Sequence, residues 1–167
     1  MTINLTEEDV AFAKNLAKKR HDAKHISIRN KGVLMENNLA SGGSQYDFHT
    51  IGLIGELAYS KFSGENIDEN IYSSNPDPKG QDFENLEIKT ITYFGSGEPE
   101  LKITQKEYAT KTPKLYVLAR TDKNKLSSVE LLGRISRENF DKLKVAKKYG
   151  RFHPSNWIVP LSLMEKL

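Results

Sequence analysis

Cysteine is absent from the chain. That excludes disulfides, thiolate zinc sites and a cysteine nucleophile, and it suits a reducing, cytoplasmic compartment. No apolar run approaches membrane-spanning length, so no membrane partner is expected. The first residues, Met1-Thr2-Ile3-Asn4-Leu5, carry neither a basic segment nor an apolar core, so no signal peptide is expected either. Histidine is scarce, and His21, His25, His49 and His153 lack zincin spacing. His21 and His25 stand four apart, a helical spacing that can bind a metal, but no carboxylate motif accompanies them; a structural or phosphate-proximal role is expected. The single tryptophan, Trp157, reads as a core or interface residue. Internal repeats and low-complexity segments are absent too.

What is present suits one folded domain. The chain has 167 residues, 37% of them hydrophobic and 28% charged, which separates it from disordered sequences. The net charge of +3 is too mild to demand a nucleic-acid partner. Its distribution says more. Lys14, Lys18, Lys19, Arg20, Lys24, Arg29 and Lys31 load the first segment, and Lys142, Lys144, Lys147, Lys148 and Arg151 load the last. Between them lie Glu65, Asp68, Glu69, Asp77, Asp82, Glu84, Glu87, Glu98 and Glu100. An acidic centre between basic segments suits a metal site approached by a polyanion; two solvated helix faces would look the same.

Thr6-Glu7-Glu8-Asp9 reads as a helix start, and Val10, Ala13, Leu16 and Ala17 recur at helical spacing to about Lys24. The basic end, Lys18-Lys19-Arg20-His21, either complements the helix dipole or contacts phosphate. Ile26-Ser27-Ile28 fits a short strand or a helix end. Ser41-Gly42-Gly43-Ser44 is loop, either a mobile segment that closes on substrate or a plain linker. A second helix is expected over Thr50 to Phe62, with Thr50 near its cap and Ser63-Gly64 ending it. Gly52 and Gly55 would let another backbone approach that helix. Glu56 is then either a buried carboxylate needing a metal or lysine partner, or an exposed glutamate with Lys61 on the next turn. Ile67 to Tyr72 fits a strand, and residues 75–80 a turn. Downstream, Glu100-Leu101-Lys102-Ile103-Thr104 alternates as a strand. Thr104-Gln105-Lys106-Glu107 is a capping box that opens a helix to about Thr110. Leu115 to Ala119 fits a central strand covered on both faces, and Val129 to Ile135 the next strand. Ser136 to Asn139 opens a lysine-ended helix with Phe140 and Leu143 on its core side. Trp157 to Leu161 is a final extended piece, with Pro160 suggesting an edge. The fold class expected is α/β, a central mixed β-sheet flanked by helices.

The chain centres on Gly80-Gln81-Asp82-Phe83-Glu84-Asn85-Leu86-Glu87-Ile88-Lys89-Thr90. Leu86, Ile88 and Thr90 fall on one strand face, Glu87 and Lys89 on the other. With Glu84-Asn85 as a two-residue turn, the hairpin sets Phe83 opposite Leu86 and Asp82 opposite Glu87, with Cβ atoms about 4.5–5.5 Å apart. Opposed like charges are unfavourable unless a divalent cation lies between them.

Glu56 on a helix, then Gly80-Gln81-Asp82, then Glu87-Ile88-Lys89 on a strand resembles the PD-(D/E)XK nuclease superfamily, whose fold is restriction endonuclease-like. The helix Gly52-Leu53-Ile54-Gly55-Glu56-Leu57-Ala58-Tyr59 resembles the glycine-glutamate helix of many members. The order of elements from about 50 to 135 matches too, and the stretch from Gly133 to Leu161 looks like small phage and bacterial members. Gln81 stands where the family's proline is expected. Gln105-Lys106-Glu107-Tyr108 resembles a glutamine-tyrosine motif of exonuclease-like branches, one residue short. The resemblance implies a single domain with an N-terminal helical segment over about 6–48, a catalytic core over about 50–135 and a C-terminal helix and tail over about 136–167. It implies that Asp82, Glu87 and the Ile88 carbonyl hold Mg²⁺, with Mn²⁺ able to substitute. Glu56 adds a carboxylate directly or through water, and Lys89 lies near the attacking water or scissile phosphate. DNA is the implied partner, touched by Lys19 and Arg20 and, if they are not a cap and a core tyrosine, by Gln105 and Tyr108. Endonucleolytic, structure-selective or weakly specific cleavage is the implied activity, with a homodimer as one assembly open to it. The alternative is a nucleic-acid-binding module of the same fold that has lost catalysis.

Overall fold

The computed structural model describes residues 1–30, 45–71, 82–92, 95–148, 150 and 155–167, without the side chains of 24–30 and 45–47. Residues 41–44, the turn expected over 75–80, Gly80-Gln81, Arg151 and the side chains of Lys24, His25, Arg29, Lys31 and His153 lie outside the described residues.

A short strand β1 (Thr2–Asn4) precedes helix α1 (Glu7–Asn30). The helix starts where the capping residues stand: the Asp9 N–H donates to Thr6 Oγ1 at 3.1 Å, and the Thr6 N–H donates to Asp9 Oδ2 at 2.7 Å. It absorbs Ile26-Ser27-Ile28 as helix rather than strand. Helix α2 (Gln45–Ser63) begins five residues before Thr50, so Thr50 is an interior, buried position and not a cap. Gly64, at φ 79°, ends it, donating its N–H to Ser60 O at 2.8 Å. No strand follows over 64–71: residues 67–71 pair with no described segment, and Asp68, Glu69 and Asn70 are residue types that strands disfavour.

The remaining elements are β2 (Leu86–Ile91), β3 (Glu100–Thr104), α3 (Gln105–Thr110), β4 (Leu115–Asp122), β5 (Lys125–Ser136), α4 (Arg137–Leu143), β6 (Val145–Lys147), β7 (Asn156–Pro160) and a 3₁₀ turn at Leu161–Leu163. Among the described residues the strands form two sheets. The first is ordered β1-β5-β4-β2, with β2 parallel to β4 and the other pairs antiparallel; the second, ordered β3-β7-β6, is antiparallel. The molecule is therefore α/β with a mixed four-stranded sheet, as its apolar patterning predicts.

Strand β4 explains the layering. Its continuous apolar run is buried on both faces, and alternate residues serve different cores. Val117 and Ala119 pack with Ala13, Leu16 and Ala17 of α1 and Leu53, Ile54 and Ala58 of α2. Tyr116 and Leu118 pack with Leu101 and Ile103 of β3, Val159 of β7 and Phe140 of α4. The first sheet thus carries the long helices on one face and the second sheet with α4 on the other.

Two expectations fail at the C-terminal end. Leu143 is exposed, because α4 stops there and its one buried residue is Phe140. Pro160 does not mark an edge strand, since β7 lies between β3 and β6; β6 pairs only over Asn156 to Ile158, so Pro160 stands beyond it and needs no second ladder. Among the described residues, no helix is long and apolar enough to cross a membrane.

Candidate active site

The turn expected at Glu84-Asn85 forms. Asn85 takes φ 64°, a left-handed conformation that asparagine tolerates well. Phe83 and Leu86 exchange backbone hydrogen bonds of 3.2 and 3.3 Å around it. The hairpin goes no further: from Leu86 onward the chain pairs in parallel with β4. Asp82 therefore does not join a ladder opposite Glu87. Its Oδ2 accepts the Ile88 N–H at 2.7 Å, which pins the carboxylate against β2.

Strand alternation then divides β2. Ile88 and Thr90 meet α2 at Gly55, where an added Cβ would lie 1.9 Å from Thr90 Oγ1 and 3.4 Å from Ile88 Cγ2. Only a residue without a side chain allows that seat, and it brings the adjacent Glu56 to the sheet. Glu87 and Lys89 point to the opposite face, toward α3. That helix is capped as its sequence predicts, the Glu107 N–H donating to Thr104 Oγ1 at 3.1 Å.

On this face four charged side chains interlock. Glu87 Oε1 accepts from Lys89 Nζ at 2.8 Å and from Lys111 Nζ at 2.7 Å. Glu107 Oε1 accepts from Lys89 Nζ and lies 3.4 Å from Lys111 Nζ. The Glu87 side chain is only 3% exposed, and its other oxygen, Oε2, is buried with no hydrogen-bond partner. Arg137 holds the helix end that carries Lys111. Its Nη1 donates to Lys111 O at 2.7 Å and to Tyr116 Oη at 3.1 Å, and its Nη2 donates to Tyr108 O at 3.1 Å.

The electrostatics follow from burial. Burial, and then the nearby Asp82 carboxylate, push Glu56 up to about 8, with Glu87 adding and Arg20 opposing. Burial and Asp82 likewise push Glu87 up to about 7 against the pull of Lys89 and Lys111. Burial raises Asp82 as well, although the Ile88 N–H and Lys89 favour its charge. Burial works against the charge of Lys89, but Glu87 and Glu107 outweigh it and hold the ammonium more firmly protonated than usual. Burial would raise Glu107 too; Lys89 and Lys111 outweigh it and keep that carboxylate ionised. Three acids thus share a region in which full ionisation is unfavourable without an added cation.

Glu56, Asp82, Glu87 and Lys89, nominated from sequence, accordingly fall within one another's electric field. Among the described residues, however, no group of three or more histidine, cysteine, aspartate and glutamate side chains is arranged to hold a metal ion. Glu87 is turned to the two lysines instead. The phosphate contacts expected elsewhere fare unevenly. Lys19 is exposed on α1. Arg20 lowers the proton affinity of Glu56 but donates to the carbonyls of Asp68 and Asn70, bracing the segment after α2. Gln105 opens α3, its N–H bonded to Ser155 O at 3.0 Å. Tyr108 is packed as a structural tyrosine: it stacks on Phe140, its hydroxyl donates to Asp141, and Arg137 and Lys144 lie 4.1 and 4.0 Å from its ring. His21 packs edge-on against His49 between the long helices.

Sequence reading missed Lys111, Glu107 and Arg137. The spacing of Glu107 and Lys111, four apart across the end of a capped helix, was the available signal for an ion pair. Nothing local announces that this pair meets Glu87. Compared with known proteins, the chain matches no family model, no curated protein and no solved structure.

Proposed function

We propose that this chain is a metal-dependent nuclease of the PD-(D/E)XK kind, with the restriction endonuclease-like form of its α/β fold, that hydrolyses DNA phosphodiesters with a metal-activated water. The observation that carries the reading is Glu87: a carboxylate buried beside Asp82 and Glu56, with one oxygen on two ammoniums and the other without a partner. An uncharged scaffold would satisfy the same space at lower cost.

The donor set fits a hard cation, since Mg²⁺ takes oxygen ligands and is commonly held by one or two carboxylates plus substrate phosphate. Asp82 and Glu87, with the Ile88 carbonyl, would hold Mg²⁺ or Mn²⁺, and Glu56 would support them. A bound cation of this class polarises the phosphate and lowers the pKa of its water. Lys89, firmly protonated, acts as a fixed positive charge toward the phosphate rather than as a base. Arg20 and Lys19 on α1 would meet the DNA backbone, in a cytoplasmic protein that works alone or as a homodimer.

The alternative is a DNA-binding module of the same fold without cleavage, favoured by the lack of a three-group metal cage among the described residues. Cleavage of plasmid, linear duplex and single-stranded DNA, and of RNA, with Mg²⁺ or Mn²⁺ separates the two. Nuclease function predicts metal-dependent cleavage that falls by at least about 100-fold, the scale of losing one charge-stabilising group, in Asp82→Ala and in Lys89→Ala. Binding without cleavage at any cation supports the module. Cleavage unchanged in Lys89→Ala removes that lysine from the mechanism.

A further inference from the structure

Glu87 meets two ammoniums, and they are not equivalent. Lys89 is two residues along the same strand and faces the same way, so it neighbours Glu87 in any state of the site. Lys111 comes from another element, one residue past α3. Its backbone is fixed at both ends: its N–H donates to Glu107 O at 2.8 Å, and its carbonyl accepts from Arg137 at 2.7 Å. Its side chain is not so confined. It is 29% exposed, lies 2.7 Å from Glu87 Oε1, and has a second carboxylate, Glu107 Oε1, at 3.4 Å. A lysine stem bends readily enough to trade the first for the second.

The site therefore has a cation of its own. Lys111 neutralises the carboxylate that a divalent ion would need, while Glu87 Oε2 stays buried and unpartnered beside it.

We propose that Lys111 is a built-in competitor of the divalent cation: its ammonium holds Glu87 while the site is empty of metal and shifts to Glu107 when metal takes Glu87. The inference rests on the metal-dependent reading above. It makes cation loading weaker than the carboxylates alone would give, and each loading event frees an ammonium at the rim of the site.

The test is titration of the full chain with MgCl₂ by calorimetry, and with Mn²⁺ followed by electron paramagnetic resonance, in mildly alkaline buffer. Lys111→Met removes the ammonium and keeps the stem; Lys111→Gln keeps a polar end. Thermal melts in EDTA establish that each variant is folded. Both variants should bind the cation roughly tenfold more tightly than the unaltered chain, the scale of one charge-assisted hydrogen bond lost from a competitor. Equal or weaker binding in folded variants overturns the competitor role and leaves the metal reading standing. No binding by the unaltered chain or by either variant overturns the metal reading itself, and the competitor role with it.

Discussion

At the scale of single residues, the site is governed by proton affinity. Glu56 moves from an ordinary 4.5 to about 8, with burial as the main cause. A carboxyl whose pKa is raised on folding keeps its proton in the folded chain to a higher pH than in the unfolded chain. Its contribution to stability is full below about 4.5 and is lost as pH rises through about 8. Asp82 and Glu87 shift in the same direction and steepen the effect. In EDTA, the melting temperature should fall across this window, and Glu56→Gln should flatten the fall. A slope unchanged in Glu56→Gln would place the titration elsewhere.

Among elements, the decisive junction is α2 on β2. Gly55 is where the helix comes within side-chain distance of Thr90, whose hydroxyl is buried without a partner. Gly55→Ala forces a methyl group to within 1.9 Å of that hydroxyl. It should destabilise the chain by about 1–3 kcal/mol despite alanine's better helix propensity, and by displacing Glu56 it should weaken cation binding as well. Urea denaturation and Mg²⁺ titration of this variant check both; a variant as stable as its parent would mean that the helix has room to slide. This junction was half legible in sequence. Gly55 announced a close approach, although the Thr90 side chain and not a backbone makes it; at Gly52 only Glu56 of the same helix comes within 4.0 Å, so that expectation fails there, while the alternation of β2 put Glu87 and Lys89 on one face. The asparagine turn and the threonine cap of α3 were local signals, and local structure obeyed them. The rest required long-range information. Strand β1 is three residues long, too short to show a period. Residues 67–71 hold Asp68, Glu69 and Asn70 between two isoleucines, a poor strand former with no described strand to pair with. Lys111 lies 24 residues from Glu87, and only the crossover from β2 through β3 and α3 to β4 brings it back.

For the whole molecule, the proposed cation binding would be linked to folding. The acids and lysines of the cluster come from α2, the turn before β2, β2 itself and the end of α3, so a ligand that joins them favours the assembled state. Mg²⁺ at about 100 times its dissociation constant should add about 2.7 kcal/mol of stability, more above neutral pH than below, because the acids must release protons to bind it. Differential scanning calorimetry with and without Mg²⁺ measures the gain; none at any pH would contradict a metal held by this cluster. The two-sheet layout bears also on when the cluster can exist. Among the described residues, β3 has one ladder partner, β7, and α3 springs directly from β3. During synthesis, at roughly 5–20 residues per second, Glu56, Asp82, Glu87 and Lys89 leave the ribosome well before residues 156–160 arrive to anchor the strand that carries Glu107 and Lys111. A nascent chain in that interval has Glu56, Asp82, Glu87 and Lys89 but not the β7 ladder that seats Glu107 and Lys111 against them, so the four-charge cluster is completed only near the end of synthesis.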